Sequence, residues 1–114
     1  MGNCANNGGK WIRPEKRRAI YLRDKLTCTY CGRDLMGDMK NTTLDHVTPQ
    51  EFGGTNHESN LVLACKTCNS VKGSKSKGEF LSSLEKRGID TSDIANRIRR
   101  RTRRKLKGYY KEVS

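Results

Sequence analysis

A small α+β domain, in which a short antiparallel hairpin is flanked by helices and fastened by a bound metal ion, is what this sequence predicts, on three observations. First, with 32% hydrophobic residues against 32% charged ones in 114 residues, the chain can bury only a thin core and needs a further source of stability. Second, Cys28 with Cys31 and Cys65 with Cys68 are two Cys-x-x-Cys pairs. That spacing lets both sulfurs of a pair face one ion, and a metal bound only by the folded chain adds its binding free energy to folding. Third, the stretch from Gly32 to Ala64 between the pairs exceeds the span of an ordinary zinc ribbon, so something folded must lie inside it. Four thiolates leave a tetrahedral Zn²⁺ no open position, and the ion expected here is structural.

The elements follow in chain order. Residues 1–12 are rich in Gly and Asn and are expected to be poorly ordered, with Trp11 the one residue suited to docking and the fifth cysteine, Cys4, a free thiol. From Pro14, suited to a first helical position, a helix of about three turns keeps Ala19, Ile20, Leu22 and Leu26 near one face. The first knuckle, Cys28-Thr29-Tyr30-Cys31-Gly32, comes next. Thr42, Thr43 and Leu44 favour a strand that delivers Asp45 and His46 at its end, and Pro49 stops regular pairing. After a polar loop containing Gly53 and Gly54, Leu61 to Ala64 read as a short buried strand, which makes an antiparallel hairpin with a long connection. A helix from Lys66 through Val71 carries Cys68 and Asn69, with Lys72 and Gly73 near its end. Phe80, Leu81 and Leu84 mark another helix that stops at Gly88, and Thr91 or Ser92 is expected to cap the last one, with Asp93 in its first turn and Ile94, Ile98 and Leu106 as its apolar contacts. The chain thus divides into a loose segment 1–12, a zinc-stabilised domain 13–88 and a basic helical extension 89–114.

A net charge of +12 calls for a polyanionic partner, either nucleic acid or an acidic membrane surface. No apolar run approaches the roughly eighteen residues of a membrane span and no signal peptide is visible, which points to a reducing cytoplasm, where cysteines serve as ligands. The charge is concentrated in Arg97, Arg99, Arg100, Arg101, Arg103, Arg104 and Lys105, read as a helix that grips a phosphate backbone. Between the knuckles and just beyond them, Asp45, His46 and Asn69 gather a carboxylate, an imidazole and a carboxamide in one compact unit. That is the inventory of an active site, and joined to the basic run it favours nucleic acid. Lys72, with Arg23 as a second candidate, is expected as a surface cation within reach of phosphate. His57 is expected to be solvent-exposed or to orient its loop.

Read together, C-x-Y-C-G, L-D-H-V-x-P, G-G and N-L-V-x-A-C-x-x-C-N-x-x-K-G resemble the HNH endonuclease family over roughly half the chain, from Ile20 to Lys75. The resemblance implies a ββα-metal (HNH, His-Me finger) core with structural zinc and flanking helices. It implies that His46 is the general base, that Asp45 and Asn69 hold a catalytic divalent ion, and that Asn60 fixes the loop orienting the histidine. Because Asn69 stands where the family's final histidine lies, the chain is an HNN variant. Two oxygen ligands suit Mg²⁺ or Mn²⁺, which keep several waters and accept phosphate oxygens. The implied activity is hydrolysis of DNA phosphodiesters, with one site per chain and therefore one strand nicked at a time by a monomer in a phage or mobile-element setting. RNA stays a second substrate class, and a catalytically inactive zinc module that binds nucleic acid is the rival reading.

Overall fold

The computed structural model describes residues 12–113, with side chains through Tyr110; the expectations for Trp11 and Cys4 lie outside the described residues. Helix α1 (Pro14–Arg23) is followed by strand β1 (Thr42–His46), strand β2 (Leu61–Cys65), and helices α2 (Lys66–Lys72), α3 (Lys77–Lys86), α4 (Ser92–Arg103) and α5 (Lys107–Val113). The strands pair antiparallel, in a register that sets Thr42 opposite Cys65 and His46 opposite Leu61. A two-stranded ribbon is marginal in water by itself. Here α1, α2 and α4 pack on it, which is why every residue of β2 is buried and why Leu61 to Ala64 form an unbroken apolar run. No helix among the described residues is long and apolar enough to cross a membrane.

Local chemistry explains most boundaries. Pro14 opens α1 with Glu15 in its first turn, and a capping box between Ser76 and Glu79 opens α3, which satisfies backbone N–H groups that have no partner inside the helix. The start of α4 departs from expectation. Thr91 occupies the N-cap position without capping, because its hydroxyl donates to Glu85 Oε2 at 2.6 Å. The carboxylate of Asp90 instead accepts from Ser92 N at 3.0 Å, a bond that also holds Asp90 below the usual carboxylate range. The last helix is two helices. α4 stops at Arg103, and Leu106, expected as one of its contacts, is buried just before α5, which packs against α1. Ile12, grouped by sequence with the loose N-terminal segment, is buried in the core.

The main surprise is where the cations go. Arg23, expected at the surface, is 1% exposed. Its guanidinium donates to both carboxylate oxygens of Asp24, at 2.7 and 3.2 Å, and to the carbonyls of Glu58 at 2.9 Å and Leu61 at 2.6 Å. Asp24 in turn accepts from Leu63 N at 2.9 Å. One bidentate pair therefore welds the end of α1 to β2, with every polar atom that carries charge given a partner, the condition under which a buried pair is tolerated. Arg97 and Arg101, expected among the residues gripping phosphate, donate to the knuckle: Arg97 to Thr29 O at 2.8 Å, and Arg101 to Thr27 O at 2.9 Å and Thr29 Oγ1 at 2.7 Å. α4 is thereby fastened to the turn that carries Cys28.

Removing one member of the Arg23–Asp24 pair leaves the other charged and buried. Arg23→Met is expected to lower the unfolding free energy by about 3–5 kcal/mol, measured by urea denaturation followed by far-UV circular dichroism.

Candidate functional site

The two knuckles meet. The sulfurs of Cys28, Cys31, Cys65 and Cys68 all lie within 4.8 Å of one another, and Cys31 Sγ is 4.0 Å from Cys65 Sγ. An ion about 2.3 Å from each of four tetrahedral sulfurs would set them about 3.8 Å apart, so the cluster fits a metal such as zinc. Backbone N–H groups already point at the ligands: Cys31 N donates to Cys28 Sγ at 3.5 Å, and Cys68 N to Cys65 Sγ at 3.4 Å, which makes Cys65 the N-cap of α2. The thiols are electrically interdependent. A hydrogen bond from Cys68, with backbone N–H groups behind it, brings the Cys28 thiol down to about 4 against the cost of burial. The same contact pushes Cys68 up, and burial pushes Cys31 up. One thiolate forms easily and its neighbours resist following, the repulsion a central cation removes.

Next to this cluster lies the carboxylate of Asp45, 5% exposed. Tyr30, held between Cys28 and Cys31, donates its hydroxyl to Asp45 Oδ2, and Lys72 Nζ stands 3.1 Å from the same oxygen. Burial raises the Asp45 pKa, with Lys72 the first influence opposing it; burial and the Asp45 charge raise the Tyr30 pKa, so the phenol stays a donor. Lys72 was expected to reach phosphate from the surface. It is 1% exposed, and its ammonium also donates to His46 O at 2.9 Å, so this cation is committed to holding the end of β1. The Tyr30 ring meets Phe80 of α3 edge-on, with centroids 5.1 Å apart.

His46, half-buried at the end of β1, sets its Nε2 2.7 Å from Asn56 Oδ1. A carboxamide oxygen only accepts, so Nε2 is the donor in this contact. The long connection that supplies Asn56 is stapled by Asn60, whose Oδ1 accepts from Thr48 N at 2.8 Å and whose Nδ2 donates to Thr48 O at 3.0 Å and Thr55 O at 2.9 Å. Asn69, half-buried on α2, turns its Nδ2 to Thr43 Oγ1 at 3.4 Å and so faces the strand that carries Asp45. His57 is exposed, and its Nδ1 caps a turn by accepting from Ser59 N at 3.1 Å.

Sequence reasoning placed Asp45, His46, Asn60 and Asn69 around the hairpin, and the structure sets them on β1, its stapled loop and α2. It missed Tyr30, Asn56 and Thr43. Tyr30 was visible inside the knuckle, but its role depends on the distance from Cys28 to β1 in space, which spacing does not report. Asp45 and Asn69 lie on two facing elements, and the Lys72 ammonium stands at Asp45 Oδ2. A carboxylate and a carboxamide are the types of oxygen ligand a hard divalent ion takes.

Comparison with known proteins adds a relationship to this geometry. The family model described as HNH endonuclease matches residues 28–85. A CRISPR-associated endonuclease Cas9 from Corynebacterium diphtheriae is 30% identical over 78 residues, 68% of this chain but 7% of that protein's length.

The stapled loop has one steric requirement. A Cβ on Gly54 would lie 1.7 Å from Thr48 O and 2.8 Å from Asn60 Nδ2, and the first of these is backbone that cannot swing aside. Gly54→Ala is expected to force the loop open, costing about 1–3 kcal/mol and speeding amide hydrogen exchange at Thr48, measured by NMR.

Proposed function

The chain belongs to the HNH endonuclease family, and on that premise we propose that it is a divalent-metal-dependent DNA endonuclease that nicks one strand per binding event as a monomer. The observation that carries this reading is the meeting of β1 with α2, where Asn69 of α2 reaches Thr43 of β1 on the strand that ends in Asp45 and His46. Mg²⁺ or Mn²⁺ held by Asp45 and Asn69 would supply positive charge to the five-coordinate phosphorus and the leaving oxygen. His46 takes the proton of the attacking water. Asn56 holds the imidazole through Nε2, and Asn60 holds the loop that brings Asn56 there. Lys72 fixes the backbone of His46 and, through Asp45, the side chain one residue earlier.

Zn²⁺ is the ion we assign to the four cysteines, in a structural role, because all four ligands are protein sulfurs. The exposed cations Arg99, Arg100, Arg103, Arg104 and Lys105 are read as contacts to the DNA backbone, and a cytoplasmic setting tied to phage or mobile elements is part of the same proposal. A second reading, a zinc-containing module that binds nucleic acid without cutting it, draws on the Lys72–Asp45 pair, which neutralises the carboxylate without a divalent ion.

The two readings separate on supercoiled plasmid. With Mg²⁺ or Mn²⁺ present, open circles are expected first and linear DNA late; His46→Ala is expected to lose at least about 100-fold in rate while its melting curve and duplex affinity stay near those of the unmodified chain. No cleavage under any divalent ion would leave the binding module, and direct formation of linear product would replace the monomer by a paired-site dimer. Zinc has its own test. Cys65→Ser is expected to abolish the cooperative melt and the one equivalent of zinc measured by elemental analysis, since structural zinc sites contribute on the order of 10 kcal/mol.

A further inference from the structure

Six cations line one cleft of about 100 Å³: Arg23, Lys25, Arg97, Arg100, Arg101 and Arg104. They come from the end of α1 and the turn after it, and from Arg97, Arg100 and Arg101 of α4 with Arg104 just past its end, the spacing that puts side chains on one helical face. Among the described residues no acid lines the cleft, and Asp24, the partner of Arg23, is fully buried.

The cleft has a rigid floor and a free rim. Arg23, Arg97 and Arg101 are fixed by bonds to Asp24, Leu61, Thr29 and Thr27. Burial lowers the Arg101 pKa, with the Asp24 charge opposing the shift and the Arg97 charge adding to it. Lys25, Arg100 and Arg104 are exposed. Lys25 has φ 57° and Leu26 φ 53°, a left-handed conformation at the end of a helix where glycine or asparagine is the usual occupant. Nothing in the turn's own hydrogen bonds calls for a lysine. What the conformation achieves is an ammonium at the rim, opposite Arg100 and Arg104. Through Arg23 and Leu61, which pairs with His46 across the ladder, the floor is also tied to the strand pair that carries the reactive histidine.

We propose that this cleft between the end of α1 and α4 is a phosphate site that holds one backbone phosphodiester of the nucleic acid away from the scissile bond and so fixes the register of the strand on the protein. This rests on the endonuclease reading for its ligand. An open rim with a fixed floor suits a phosphate whose chain enters and leaves on the solvent side, while the guanidinium N–H groups not used internally face the two non-bridging oxygens.

The test uses the full-length chain carrying His46→Ala, so that binding is read without cleavage, and a 20-base-pair duplex lacking terminal phosphates. Three exposed rim cations are removed in Lys25→Asn/Arg100→Ala/Arg104→Ala, where asparagine keeps the left-handed turn. An equal charge is removed elsewhere on exposed residues in Lys77→Ala/Lys86→Ala/Arg87→Ala. The rim variant is expected to bind the duplex at least about tenfold more weakly at physiological salt and to lower the slope of log K against log salt by about 0.9, the share of one phosphate, while the α3 variant changes affinity less than about threefold. Equal losses in both variants would mean diffuse charge and no site. Tight binding of inorganic pyrophosphate, with duplex affinity unchanged in the rim variant, would assign the cleft to a free anion and overturn the proposal. Cleavage by the chain with His46 intact is scored separately: a chain that cuts but binds independently of the rim sinks the cleft alone, whereas one that binds through the rim but does not cut sinks the nuclease reading alone.

Discussion

A carboxylate taken out of water must be paired and hydrogen-bonded or it loses its charge, and at Asp45 that requirement joins the two knuckles to β1. Its Oδ2 is reached by Tyr30 from the first knuckle and by Lys72 from the helix that follows the second. Each knuckle thus contributes two sulfurs to the cysteine cluster and stands beside one partner of the carboxylate. Gathering the four cysteines and satisfying Asp45 are therefore the same geometric event. An error in the knuckles would be felt at β1 within one side chain's length.

The second economy of the structure is its use of arginine where a larger protein would use apolar mass. Arg23 links α1 to β2, and Arg97 and Arg101 link α4 to the knuckle loop, in each case through backbone carbonyls that have no partner in the short sheet. A planar guanidinium with five donors can satisfy several carbonyls from one position, which an ammonium on a flexible stem cannot do as well. The basic composition accordingly has two jobs. Part of it closes a thin core, and part of it, Arg99, Arg100, Arg103, Arg104 and Lys105, remains exposed and gives the surface its field.

The loop between the strands shows how a long connection becomes a fixed part of a site. A single side chain, Asn60, mimics a strand by bonding both the N–H and the C=O of Thr48, and it reaches Thr55 as well. Lys16 of α1 adds a bond to Asn56 O at 2.6 Å. The segment that orients His46 is thereby referenced to β2 and to α1 at once, and the imidazole inherits the rigidity of both.

What the sequence determined by itself were the features set by local spacing. Two residues between cysteines make a knuckle, β-branched residues before Asp45 make a strand, an apolar run from Leu61 makes its buried partner, and Pro14 and Gly88 mark helix ends, because each of these depends on contacts within a few residues. Asp45, His46 and Asn69 stood out as one compact group because they sit close to those elements in sequence, whereas Asn60 was singled out only by the resemblance to the HNH family. The tertiary structure alone decided which cations are inside. Lys72, Arg23, Arg97 and Arg101 look no different in sequence from Arg100 or Lys105, since a charged side chain is buried only where distant carbonyls or a carboxylate converge on it, as Leu61 and Glu58 do on Arg23, Asp45 on Lys72, and Thr27 and Thr29 on Arg101. Those partners are separated from the cations by tens of residues, and no periodicity along the chain encodes their meeting.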